Sequence, residues 1–582
     1  MDVNFSEFTL NAADYAAFAL FFVGMAFAGY WFGRDERESS EDYFLAGKKL
    51  PWYVVGGSFV ASNISSDHFI GMVGSAMIFG ASVVLFEWSN VFVFSLLIWI
   101  FIPFLLSSKV FTTPEFLERR FSPTLRSVFA VVTVVSNVVA FLAAVMYGGG
   151  LAIQSLFGCS LWTSVITVGL AAGVWAIYGG LSSVVWTDSL TLVVMLAGGI
   201  VVTVLGLQYL AGDQGAWYEG LAKMIEINRA TEGKWRDANA AVALNALGDN
   251  SYNRLSVVQP ASHPLVPFVS LPIFLLSISL WYNVLNQFMI QRVLGAKNMY
   301  HARMGIVMAG WVKVFIPLIT VVPGMVMFAL APELLLGPWE EVRPNADRAY
   351  VTLLTTIVPP GFRGLFLAAL FGAIQSTVNS VLNSTATVFT LDVYKRHLAP
   401  AATDRDLVRI GMISTGVVLV ISIILGRFVG ALGGSLFEYV QSLYAFFAPP
   451  FAAAFLLGIL WRRINEWGAL AAVIVGFGTG LSIKLLVGLY PAHPRWLEPF
   501  SNQAAINWIA CVVVCIAVSM LTSAPRPDQV TDDLTLNWKR LNVFDGLGSH
   551  WYTSVVTWWA LFVATVVGLM LLFSDLVFAV GP

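Results

Sequence analysis

The sequence predicts an all-α polytopic membrane protein of about fourteen transmembrane helices, with two inverted five-helix repeats around broken helices. Three observations carry this expectation. The chain of 582 residues is 58% hydrophobic and only 11% charged, with mean hydropathy +0.77, whereas a soluble domain carries about 25% charged residues. Its apolar residues fall in runs of about 20 or more, the length that crosses a bilayer as a helix. One such run is interrupted at its centre by Ser62-Asn63-Ile64-Ser65-Ser66-Asp67-His68, in which all but Ile64 are polar. Each unsatisfied polar group in hydrocarbon costs several kcal/mol, so this stretch must face protein or water. A membrane helix that turns polar at mid-depth is the pattern of a broken helix at a binding site.

Taken in order, the first apolar run is 13–33. It follows an acidic start without the basic lead of a signal peptide and is expected to stay as a helix. The runs 52–78, 80–107, 125–156, 160–178 and 186–211 make a set of five, and 265–291, 304–332, 353–394, 407–427 and 435–461 make a second. An odd number of crossings per set inverts the second relative to the first. Runs 467–490, 505–523 and 552–577 follow, the last after a polar linker at 529–549. The expected organisation is therefore 1–51 as a helix and cytoplasmic linker, 52–211 and 265–461 as the two repeats, 212–264 as an outer loop, and 462–582 as three further helices.

Orientation follows from the loop charges. With the N-terminus outside, most of the 32 lysines and arginines fall on the inner side, among them Arg37, Lys109, Arg120, Arg292, Arg303, Lys539 and Arg540. Both termini are thus expected outside the cytoplasm, in a multi-pass protein of the plasma membrane. The net charge of −2 gives no reason to expect nucleic acid. Cys159, Cys511 and Cys515 lie in apolar stretches and read as small hydrophobes. Six scattered histidines and no nucleophile–base pair at useful spacing argue against an enzyme.

Further polar groups lie inside the apolar runs. Glu87, in Phe86-Glu87-Trp88-Ser89-Asn90, is costly in a membrane unless paired or hydrated. It either accepts hydrogen bonds from solute hydroxyls or sits in an interfacial tryptophan belt. Ser279 to Gln287 mixes Trp281 and Tyr282 with Asn283 and Asn286, which suits a sugar ring or an aromatic girdle equally. Lys313 either faces a site or snorkels to the surface. Asp188 either faces a site or caps its helix. Ser376, Asn379, Ser380 and Asn383 share one helix face. Their hydroxyls, with carbonyls freed by the break at 61–64, would suit Na⁺.

Beyond these, Glu41-Asp42-Tyr43-Phe44-Leu45-Ala46-Gly47, the run Ala61–Met72, Tyr178–Asp188, Gln291-Arg292 and Asn383–Tyr394 recur in order along the chain. So do Gln441, Pro449-Pro450 and Phe455-Leu456-Leu457-Gly458. In these the chain resembles the sodium/solute symporter family, in its sodium/glucose cotransporter branch, over nearly its whole length. The resemblance implies sodium-coupled import of a glucose- or galactose-like hexose by alternating access. It implies a sodium site from the backbone of Ala61, Ile64 and Ala373 and the hydroxyls of Ser376 and Thr377. A second sodium site, held by some members, would fall on Asp188, Ser376, Asn379 and Ser380, where Asn379 replaces an expected hydroxyl residue. The implied sugar contacts are Asn63, His68, Glu87, Ser279, Lys313 and Gln441. The implied gates are Tyr282 on the inside and Met72, Phe86 and Phe437 on the outside. Two departures stand out: Asn283 replaces a tryptophan of sugar-transporting relatives, and Tyr444 is bulkier than expected.

Overall fold

A computed structural model of the chain describes residues 10–34, 40–108, 110, 112–178, 180–212, 214–230, 232–246, 253–432, 435–490, 492–537 and 543–577. Arg37, Lys109, Lys539 and Arg540 of the charge count, most of the acidic start, and parts of the outer loop and the C-terminal linker lie outside the described residues.

Every regular element among the described residues is a helix. Among the described residues, twelve are long and apolar enough to cross a membrane. Two further expected spans, 52–78 and 160–178, are also helical. The run 52–78 is split into Trp52–Asn63 and a second half, 67–79, that ends at Gly80 before the next span. The run 160–178 forms the 18-residue apolar helix Leu161–Tyr178.

The split has a local cause. Ile64 is extended at φ −80°, ψ 118°. Serine and asparagine side chains compete with the backbone for hydrogen bonds, and here Ser65 Oγ accepts from Asp67 N at 3.1 Å. A second break lies in the corresponding helix of the second set, where Asn286 is extended at φ −67°, ψ 121° between Trp281–Leu285 and Gln287–Leu294. Gln287 is held there by Thr113 N, which donates to its Oε1 at 3.1 Å. Each five-helix set therefore opens with a broken helix.

Burial separates a centre from a periphery. Within their apolar windows, 94% of Arg363–Leu398 is enclosed, against 22% of Ala12–Gly33 and 17% of Val555–Leu572. The first broken helix packs against Met299–Leu330, Gly180–Ala211 and Arg363–Leu398. Small residues permit this: a Cβ on Gly56 would stand 2.5 Å from the Gly305 carbonyl oxygen, an approach typical of membrane helix pairs.

The Phe79 end of that helix is clamped by Arg254 of the 212–264 segment. Arg254 donates to the carbonyls of Met77 at 2.7 Å and Ile78 at 2.5 Å, and its guanidinium lies over Phe328 at 3.6 Å. These are C-terminal carbonyls that the helix itself leaves unpaired. Gly80, at φ +67°, then turns the chain.

Three arginines from the charge count prove to be packing elements. Arg120 is fully buried and donates to the carbonyls of Gly458 and Ile464 at 2.7 and 2.9 Å. Arg303 is likewise buried and donates to those of Val543 and Asp545 at 2.8 and 2.6 Å. Arg292 is buried in the ion-pair network described below.

Candidate substrate and ion site

The break at Ile64 opens onto a small cavity of about 80 Å³. Its wall contains Asn63, His68, Glu87, Ser279, Lys313 and Gln441, the expected sugar contacts, together with Met72, Phe86, Tyr282 and Phe437, the expected gates. Residues more than 370 positions apart in the sequence are thus brought to one chamber. Asp67, Asn90 and Phe141 also line it, as do Asn283 and Tyr444.

Glu87 is the electrostatic centre of the wall. Lys313 Nζ donates to its Oε2 at 2.6 Å, and both side chains are 3% exposed. The same ammonium donates to Asn63 Oδ1. Lys313 is therefore paired at depth rather than snorkelling, and Glu87 belongs to the cavity rather than to a tryptophan belt. Glu87 Oε1 lies 3.2 Å from His68 Nε2. His68 Nδ1 accepts from Ser65 N at 3.4 Å, which leaves Nε2 to donate to the carboxylate. The pair thus satisfies two buried charges that would be costly alone.

Aromatic rings close both ends. Towards the 67–79 half of the broken helix, Phe86 meets Phe437 edge-on at 4.8 Å and lies 6.0 Å from Phe274. Towards Trp52–Asn63, Tyr282 lies 5.8 Å from both Phe141 and Tyr444 and 5.6 Å from Phe288. Tyr282 Oη accepts from Asn63 Nδ2 at 2.7 Å. Trp281 is 2% exposed, so this stretch is interior and not a girdle. Asn283 is turned away from a stacking role: its Nδ2 donates to Asn90 Oδ1 at 3.1 Å and to Ser279 O at 2.9 Å.

Beside the break, the helix Arg363–Leu398 supplies hydroxyls. Thr377 Oγ1 reaches the carbonyl oxygens of Ser62 at 3.1 Å and Ile64 at 3.2 Å. Ala61, Ile64, Ala373, Ser376 and Thr377 are all buried. Freed carbonyls beside hydroxyls form an oxygen-only environment, the chemistry that Na⁺ requires.

Ser376 Oγ donates to Asp188 Oδ1 at 2.6 Å, while Ser58 and Ser62 donate to Oδ2 at 2.6 and 2.9 Å and Ser380 at 3.3 Å. Asp188 lies well inside Gly180–Ala211 and is not a helix cap. Its counter-ion is Arg292 at 3.3 Å, which also engages Ser58 and Ser62 at 2.6 Å each, and Ser380. The side chain of Asn379 makes no hydrogen bond among the described residues. The sequence reads Arg292 as a loop charge. The sign that it is not is its place two turns after the polar Asn283–Gln287 stretch, on the second half of a broken helix.

A broken-helix membrane bundle with a polar cavity at the break and an adjoining oxygen-rich niche has the architecture of a carrier of small molecules. The sodium:solute symporter family matches residues 43–476. The chain is 32% identical to a sodium/glucose cotransporter of Vibrio parahaemolyticus, over 92% of this chain and 96% of that protein. It is 32% identical to a sodium/myo-inositol cotransporter 2 of Sus scrofa, over 89% of this chain and 76% of that protein. In fold it matches the substrate-bound, outward-open structure of a Na⁺-coupled sialic acid symporter, with TM-score 0.69 and 18% identity over 88% and 99% of the two chains. The chain belongs to the sodium:solute symporter family: it is a multi-pass membrane transporter, not an enzyme, and Na⁺ is its co-transported ion.

Proposed function

We propose that the protein imports a neutral hexose of the glucose or galactose type together with sodium. The observation that carries this reading is the cavity wall in which Glu87, held by Lys313 and His68, stands with Asn63, Gln441 and the aromatic Tyr282. A sugar has a hydroxyl rim for the polar groups and an apolar face for the ring. Both named relatives carry ring polyols in their names.

Sodium binds between Ala61, Ile64 and Ala373 and the hydroxyls of Ser376 and Thr377. It holds the broken helix against Arg363–Leu398 and favours the outward-open state. Sugar binds, Phe86 and Phe437 close over it with Met72, and the repeats 52–211 and 265–461 rock about the site. Movement of Tyr282 then opens the inner side. Both termini lie outside. The coupling is a population shift through differential affinity. One sodium ion falling through about 100 mV and a tenfold gradient supplies roughly 2.3 plus 1.4 kcal/mol, enough for roughly 500-fold accumulation.

A second reading, myo-inositol as the solute, is favoured by Asn283. With no indole at that position, one ring face is lost, and a polyol with hydroxyls all round gains less from such a face than a hexose does.

The test is uptake of labelled glucose, galactose and myo-inositol into proteoliposomes, with and without an inward sodium gradient. Sodium-driven accumulation of a hexose, lost in Ser376→Ala, is expected. Accumulation of myo-inositol alone would replace the hexose reading, and accumulation of none of the three would overturn it.

A further inference from the structure

Most polar groups of the cavity are already paired with one another: Lys313 with Glu87 and Asn63, His68 with Glu87, Asn63 with Tyr282, and Asn90 with Asn283. What remains is one-sided. The buried polar atoms of the lining left without a partner are Asp67 Oδ1, Asn283 Oδ1 and Gln441 Oε1, all acceptors. The Asp67 carboxylate makes no hydrogen bond or ion pair with any described side chain, although the residue is only 8% exposed. The charges it feels are of its own sign, Asp347 and Glu87. Burial and these like charges disfavour the ionised form of Asp67, so its carboxylate stands in the chamber without a counter-ion and becomes favourable only when a cation comes into contact with it.

A buried carboxylate without a counter-ion is costly, and the cost is relieved by a cation in direct contact. Lys313, the lysine of the wall, is already paired with Glu87, which leaves the co-transported ion or the solute to bring that cation. We propose that Asp67 is a specificity-determining position that recognises an ammonium group, so that the cavity takes protonated amino sugars in preference to neutral hexoses and rejects hexuronates. This rests on the hexose reading above and deepens it. Glucosamine, glucose and glucuronate share one ring and differ in charge, from positive through neutral to negative. The three free acceptors suit the first, are met by hydroxyls in the second, and repel the carboxylate of the third.

The test is binding to the purified full-length protein in saturating sodium, read as the concentration of each hexose that gives half its maximal thermal stabilisation. At about pH 6.5 an amine of ordinary α-amino basicity, with pKa about 7.7–8.0, is mostly charged. Glucosamine is expected to bind at least about tenfold more tightly than glucuronate, with glucose between them. In Asp67→Asn, which keeps the size of the side chain, glucosamine affinity falls at least about tenfold and glucose affinity less than about threefold. If glucose binds but glucosamine binds no better, or if the substitution weakens both alike, the Asp67 assignment is overturned while the hexose reading stands. Glucosamine binding without glucose binding upholds the assignment and removes the neutral hexose as solute. If none of the three binds, both fall together.

Discussion

Thr377 Oγ1 stands 3.1 Å from the carbonyl oxygen of Ser62 and 3.2 Å from that of Ile64, so one hydroxyl of the central helix bridges the two sides of the break in another. That bridge ties the oxygen niche to the chamber, because the residue between those two carbonyls is Asn63, whose side chain meets both Lys313 and Tyr282. Ion and solute therefore share a segment of three residues. Any shift of the break that alters one site alters the other.

Thr377→Val keeps the shape and removes the hydroxyl. A hydrogen bond of this kind contributes about 1 kcal/mol, and loss of an ion ligand adds to it. The sodium concentration for half-maximal uptake is expected to rise roughly tenfold. Sugar affinity at saturating sodium should move much less. Sodium titrations of uptake in proteoliposomes check both.

Lys313→Met removes the ammonium that donates to Glu87 at 2.6 Å. Charged hydrogen bonds contribute about 1.5–3 kcal/mol. The apparent sugar affinity should fall by roughly 10- to 100-fold, with sodium-induced thermal stabilisation retained. A parallel loss of sodium stabilisation would show that the side chain serves the fold as a whole.

Asp188 and Arg292 meet at 3.3 Å with 0% and 1% of their side chains exposed. Breaking a buried pair from one side costs about 3–5 kcal/mol. Asp188→Asn and Arg292→Gln should each lower the melting temperature sharply. The double variant should lose less than the two single losses combined, because neither charge is then stranded. Melting curves in detergent decide it.

Asp347, outside the spans, accepts from Leu436 N at 2.8 Å and so fixes the start of the helix that carries Phe437. Burial pushes its carboxyl up to about 7, offset in part by that backbone N–H and by Arg343. An acid raised above its unfolded value of about 3.9 holds its proton in the fold across the window between them. Its contribution to stability is present below that window and is lost as pH rises through about 7. Asp347→Asn should therefore gain stability relative to the parent on going from about pH 5 to about pH 8. Melting temperatures across that range give the difference directly.

Much of this was legible in the sequence, for physical reasons. A charge or an amide in a bilayer is expensive, so Glu87, Lys313, Asp188 and the 62–68 stretch announce themselves against an apolar background. The resemblance then distributed roles that spacing alone left open. Arg292 was harder to read, because an arginine near the end of an apolar run is ordinarily a loop charge and only tertiary placement shows it beside Asp188. The second break at Asn286 was hidden by aromatic neighbours that read equally as a girdle. The break itself divides one expected span, so that its first half, Trp52–Asn63, is only 12 residues long. Asp67 sat in plain view within the polar stretch. Its isolation became visible only when its neighbours had found partners and it had not.

The central claim is that sodium and sugar bind to coupled sites, and coupling must be reciprocal. The most direct measurement is the sugar affinity of the purified protein with and without saturating sodium, set against its sodium affinity with and without saturating sugar. The account predicts that each ligand tightens the other by the same factor, at least about fivefold, and that Thr377→Val weakens the sodium effect on sugar binding. A sugar affinity that does not respond to sodium would contradict it.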